Sequence, residues 1–257
     1  MRFIILGIII AMIASVTIFA QKANSAETLQ STISGKLTHP ICPDQLKATY
    51  SMTYPETGNP LQDLIIKNFS MYRIASFLYI DVNSHFDNPR LCDENSFRLW
   101  LTYDSVGTIT KASKDYLSMF FTTITFFGGN QDTTEYLVMN FKKDGYVMDL
   151  SDLFPDKERS LPLYFDLVYS ITCKAGFDTT PSYFGSEECG GRPNGQTYLS
   201  NNINTIASLG NLSFNPEGAT IHLESYNCWT RLDGSFDFQL SKADLIAIGA
   251  NPAIWGD

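Results

Sequence analysis

Apolar and polar residues alternate over 46–54 (LKATYSMTY) and the run meets Pro55, which predicts a strand ending in a turn. Gly58, Asn59 and Pro60 then open a helix. Leu61, Leu64, Ile65 and Phe69 recur at i, i+3, i+4 and i+8, a spacing that predicts one apolar face packed on a sheet. Phe97, Leu99, Leu101 and Tyr103 alternate again, as in a half-buried strand. Residues 116–127 form a long β-rich stretch that stops at Gly128-Gly129. The segments 136–141 and 146–150 flank Lys142-Lys143-Asp144-Gly145, whose Asp-Gly pair predicts a hairpin, and 151–155 closes its second strand. Residues 161–173 read as a second helix with Leu163, Leu167, Val168 and Ile171 facing inward.

Residues 176–197 are rich in Gly, Ser, Thr and Pro, the composition of a long loop. Beyond it, 212–214 and 219–226 flank Asn215-Pro216-Glu217-Gly218 as a second hairpin, and 236–240 adds a strand. Ser241 is placed to cap a short helix through Ile248, stopped by Gly249. The expected class is α+β, a mainly antiparallel sheet with two or three packed helices. No repeat or linker interrupts it, so one unit and two tightly packed subdomains both fit.

The first 26 residues read as an address: Arg2, an apolar run from Phe3 to Ala20 broken by Gly7, Ser15 and Thr17, then small residues at Ala20, Ala23 and Ala26. Such a run can also just span a bilayer, so a membrane role is expected only if the segment stays uncleaved. The expected location is outside the cytoplasm, periplasmic or extracellular. The formal charge of −9 becomes about −11 once Arg2 and Lys22 leave with the leader. With no basic cluster beyond Lys142-Lys143, the chain has nothing to neutralise a run of phosphates, which excludes nucleic acid.

Export makes the five cysteines candidates for disulfides. No C-x-x-C occurs, the histidines are scattered, and no metal or cofactor is expected. Cys42 and Cys92 each precede a predicted strand, which favours their pairing. Cys173 and Cys189 would then close a polar, glycine-rich loop. Cys228 is left over, either buried or part of a rival pairing.

The order of elements resembles the PdaC/RsiV-like family of exported domains. The resemblance rests on Gly128-Gly129, 136–141, Gly145 and Met148-Asp149-Leu150-Ser151-Asp152-Leu153-Phe154. It continues in Leu212-Ser213-Phe214-Asn215-Pro216-Glu217-Gly218, Ile221, Leu223, Tyr226, Gly234 and 238–245, with an N-terminal echo in 47–54. It implies a leader over 1–26, an N-terminal PdaC-like subdomain over 27–110 and an RsiV C-terminal-like domain over 111–257. It further implies a cell-envelope sensing or binding domain, some of whose relatives recognise lysozyme. Where the family commonly has Ala-His after the double glycine, this chain has Asn130-Gln131, so no role of that histidine carries over. The deacetylase signatures T-F-D-D-G and H-x-x-x-H are missing.

Catalysis finds little purchase in the sequence. Of His39, His85 and His222, two lie in loops and His222 alternates outward from Ile221 and Leu223; G-x-S-x-G is absent. Asp149 with Asp152 suits a strand-ending turn, and Glu187-Glu188 a solvated loop. The expected function is therefore a non-catalytic binding module for a cationic protein such as lysozyme, or for a cell-wall glycan. The alternative is a secreted enzyme using paired carboxylates on a cell-wall polysaccharide. Binding anchors are expected at Asn130, Gln131 and Asp132, and at Tyr226 and Trp229, which follow predicted strands.

Overall fold

The computed structural model describes residues 29–93, 98–128, 132–179, 207–223 and 236–256. It has a mixed α+β architecture with two sheets, in the strand orders β1-β2-β3-β4-β5 and β6-β7-β8. In the larger sheet β1 (Gln30–Thr38) pairs antiparallel with β2 (Leu46–Pro55), but β2 runs parallel to β3 (Leu99–Ala112). Parallel neighbours need a crossover, and the helix after Pro55 supplies it. That helix, α1 (Pro60–Ser76), begins where the Asn59 side chain accepts from the Leu61 and Gln62 amides. It continues through a π-helical turn (Phe77–Val82) into α2 (Asn83–Phe86) and a 3-10 turn (Pro89–Cys92).

The buried line of α1 is Gln62, Ile66, Ser70 and Ile74, one residue round from the predicted stripe; Leu64 faces solvent. Ser70 tolerates burial because its hydroxyl donates to the Ile66 carbonyl at 2.8 Å. Beside α1, Leu46, Ala48, Met52, Leu101 and Tyr103 are buried, and the Phe77 ring lies 5.5 Å from that of Tyr103.

β4 (Tyr116–Phe126) and β5 (Thr133–Lys142) complete the five-stranded sheet. The predicted second arm of the next hairpin shrinks to a single bridge, Phe141 with Val147. The reason is local. Asp149 accepts from the amides of Ser151 and Asp152, and Asp152 accepts from the Asp149 amide. This capping box starts the short helix α3 (Leu150–Leu153).

Helix α4 (Lys157–Thr179) is longer than predicted, and it takes in Gly176 to Thr179 of the expected loop. It buries Ser160, Tyr164, Val168 and Thr172, again an i+4 line, and leaves Leu163 exposed. β6 (Leu212–Asn215), β7 (Gly218–Leu223) and β8 (Phe236–Ser241) are antiparallel throughout. Gly218 has φ +150°, and a Cβ there would meet the Leu240 carbonyl oxygen, so the hairpin turn requires glycine. Ser241 caps α5 (Lys242–Ala247), and Trp255 in the closing 3-10 turn donates from Nε1 to the Gly218 and Asn215 carbonyls at 2.9 and 3.1 Å.

Packing divides the chain into two units. One runs up to Gly107 with Thr123–Thr133 added; the other comprises Thr108–Thr122 and everything from Thr134. The second holds an apolar core of Leu153, Phe154, Tyr164, Phe214, Ile221 and Trp255 among others. Among the described residues no helix is long and apolar enough to cross a membrane.

Candidate functional site

Antiparallel pairing sets Leu212, Phe214, Ala219, Ile221, Leu223, Phe238 and Leu240 on one face of the small sheet, where they join the core. The alternate positions Ser213, Asn215, Thr220, His222, Asp237 and Gln239 share the other face. There His222 sits between the two neighbouring strands. Its Nε2 accepts from the Ser213 hydroxyl and its Nδ1–H donates to Asp237 Oδ1, both at 2.7 Å. A second row follows, in which Gln239 and Asn215 amides donate to Thr220 Oγ1 at 2.8 and 3.0 Å. The outward reading of His222 needs correction on one point: the face is the expected one, yet the side chain is buried. Phe120 of β4 stacks on its ring at 4.0 Å, and Tyr136 of β5 lies 5.2 Å from Phe120.

The order hydroxyl, imidazole, carboxylate is that of a hydrolytic triad, but the exposure is inverted. Ser213 is 2% exposed and His222 6%, whereas the Asp237 side chain is 55% exposed. A nucleophile must meet substrate, and an oxyanion needs free donors beside it. The amide next to Ser213, that of Phe214, already donates to Ser118 Oγ at 2.9 Å. The row therefore serves as a polar latch between the small sheet and β4.

A second cluster forms in the first unit. Cys42 and Cys92 are disulfide-bonded across a Cα–Cα distance of 5.5 Å, the pairing that the strand positions favour. His39, expected to be a loop residue before Pro40, turns its ring into this corner and is buried. Its Nδ1 accepts from the Ile41 and Cys42 amides at 3.2 Å and lies 3.1 and 3.4 Å from the sulfurs of Cys42 and Cys92. Nε2–H donates to the Phe86 carbonyl at 3.0 Å, which fixes the tautomer. The spacing His-x-x-Cys was the available signal.

The pair Asp149 and Asp152 is structural. Hydrogen bonds from the Ser151 hydroxyl and amide hold the Asp149 carboxyl below the ordinary aspartate range. Asp152 lies 3.4 Å from Lys142 Nζ, and its charge holds that ammonium above the usual lysine value. Glu187 and Glu188 lie outside the described residues.

Of the expected anchors, Asp132 is exposed at the entry to β5 and belongs to the first unit. Asn130, Gln131, Tyr226 and Trp229 lie outside the described residues, as do Cys189, Cys228 and the side chain of Cys173. β7, which leads toward Tyr226 and Trp229, belongs to the second unit. Gly128 adopts φ +88°, with Leu99 Cδ1 where a Cβ would stand, so it answers a backbone need.

Fold and clusters together define a disulfide-bearing α+β protein whose buried polar rows serve the architecture. The sequence matches no protein-family model and no curated protein. Solved structures do share the fold. A DUF3298 family protein from Pseudomonas aeruginosa PAO1 is similar with a TM-score of 0.53 and 10% identity, over 90% of this chain and 98% of its own. A DUF3298 family member from Bacteroides fragilis is similar with a TM-score of 0.52, the same identity and the same coverage.

Proposed function

We propose that the protein is a non-catalytic, exported cell-envelope binding module of the PdaC/RsiV-like kind, and that its partner is a cationic protein of the lysozyme type. The Cys42–Cys92 bridge carries the reading, because disulfides persist outside the reducing cytoplasm, and the apolar run from Phe3 to Ala20, read as a leader, supports it. The fold shared with DUF3298 proteins supports the likeness. Asp149 and Asp152 are engaged in a cap and the Ser213–His222–Asp237 row in a latch, which favours binding over turnover. A mature charge near −11 steers a basic partner, an attraction that salt screens over roughly 8–10 Å. Specificity then needs anchors, which we place at Asn130, Gln131 and Asp132 and, separately, at Tyr226 and Trp229.

Calorimetry of the mature chain with lysozyme, at about 0.15 M salt, tests this. Expected is binding that weakens with added salt but survives at that ionic strength, and that falls at least tenfold in Trp229→Ala. No heat at physiological salt removes the cationic partner and leaves a cell-wall glycan to be titrated next. Unchanged affinity in Trp229→Ala removes the anchors at Tyr226 and Trp229, and unchanged affinity in Gln131→Ala removes those at 130–132.

A further inference from the structure

We propose that the corner formed by His39, Cys42 and Cys92 is a redox-gated site for a thiolate-seeking divalent cation of the zinc class, closed while the disulfide stands and open in the dithiol form. The three donor atoms lie within 4.8 Å of one another, and His39 and Cys42 are buried. Tetrahedral zinc holds nitrogen at about 2.0–2.1 Å and sulfur at about 2.3 Å, which sets nitrogen and sulfur roughly 3.5 Å apart. Nδ1 already stands 3.1 and 3.4 Å from the two sulfurs, so coordination requires that the sulfurs part and that the Ile41 and Cys42 amides release Nδ1.

The imidazole is oriented for the role. Its Nδ1 lies beside both sulfurs, where it now accepts from the Ile41 and Cys42 amides and would exchange those bonds for the cation. Nε2–H is committed to the Phe86 carbonyl, the outer hydrogen bond that orients metal-bound histidines. Phe86 also meets the ring edge-on at 5.3 Å, so rotation away from the sulfurs would break two contacts. Three protein ligands leave one coordination position open.

The chemistry balances. A dithiol reductant gives two electrons and two protons to the Cys42–Cys92 bond and becomes a disulfide itself. The cation then displaces the two thiol protons to solvent and binds the thiolates with His39 Nδ1. Oxidation of the thiolates by a disulfide reverses the sequence and expels the ion.

The test uses the mature chain with Cys173, Cys189 and Cys228 changed to Ser, reduced by a phosphine without oxygen and titrated with Co(II). Expected is one equivalent giving thiolate-to-cobalt charge transfer and tetrahedral visible bands, displaced by Zn(II), and absent from the unreduced chain. His39→Ala should weaken affinity at least tenfold, and Cys42→Ser should abolish the bands, with circular dichroism confirming that each variant is folded. Zn(II) should also slow re-formation of the bridge on adding a disulfide oxidant. Bands unchanged in His39→Ala, no bands at all, or a reduced chain that unfolds and does not refold on Co(II) would each overturn the proposal.

Discussion

His222 shows how a single residue's role depends on what covers it. Alternation correctly places it opposite Ile221 and Leu223, but alternation is silent about a second layer. Phe120 supplies that layer from more than a hundred residues away in sequence. Ser213 and Asp237 become its partners only through strand register, which no local pattern reveals. Removing the ring strands the buried Ser213 hydroxyl and loses an aromatic stack, so His222→Ala should cost about 2–4 kcal/mol in chemical denaturation. Asp237→Ala should cost less than about 1 kcal/mol, because water reaches that carboxylate already. Equal losses would show that the latch is not ordered as described. Tyr164 makes the same point in the core. Burial raises its phenol above the ordinary range, and its hydroxyl donates to the Ala207 carbonyl at 2.9 Å. A raised folded value means the stability tied to the neutral phenol is complete below pH ~10 and is lost as pH climbs through the folded value. Spectroscopic titration should therefore show that Tyr164→Phe removes one tyrosine from the late-ionising group of the folded protein, to which Tyr54 and Tyr116 also belong, and leaves the early-ionising tyrosines unchanged.

Elements were more legible than faces. The strands expected from 46, 97, 116, 212, 219 and 236 follow from alternation and turn residues and stand within two residues of those starts, while α1 follows from its period and opening residues and α4 from its period alone. What misled was the choice of stripe. In α1 the apolar residues Leu61, Leu64, Ile65 and Phe69 outnumber those on the true inner line, where Gln62 is buried and Ser70 is tolerated because its hydroxyl donates to the Ile66 carbonyl. Ile66 is fully buried, so Ile66→Ala should cost about 2–4 kcal/mol, whereas Leu64→Glu should stay within about 0.5 kcal/mol. The reverse ranking in urea melts would restore the predicted stripe. At α3 the capping box overrode the hairpin arm, and its acid dependence is testable. Asp149 is held below its ordinary value chiefly by the Ser151 hydroxyl and amide. Its contribution is therefore present above the unfolded aspartate pKa, about 3.9, and lost as pH falls through the lower folded value. Because the carboxylate is exposed, the effect should be under about 1 kcal/mol. Carboxyl NMR should find Asp149 titrating below the ordinary aspartate value, and an ordinary midpoint there would refute the cap.

At the scale of the whole molecule the disulfide carries the most weight. It closes a separation of 50 residues that contains β2, α1, the π turn and α2, the crossover that makes β2 and β3 parallel neighbours. Parallel pairing is slow to find and its loop is costly to close, so a tether across it acts where the entropy cost is greatest. Chain-entropy reasoning gives about 4 kcal/mol for a loop of this length, with measured bridges usually at 2–4. The strands on either side of the bond made the pairing readable in sequence; the crossover that it spans was not, because parallel and antiparallel neighbours share one alternation. The second unit has its own apolar core, from Leu153 to Trp255, and no described part of that core lies within the tethered loop. Replacing both cysteines by serine should therefore lower stability by about 2–4 kcal/mol, and should do so unevenly. Native-state hydrogen exchange should show amides of β2 and α1 losing protection first, while those of β7 and of α4 around Tyr164 keep theirs. Uniform loss across both groups would mean that the two units unfold as one, and that the bridge stabilises the molecule as a whole.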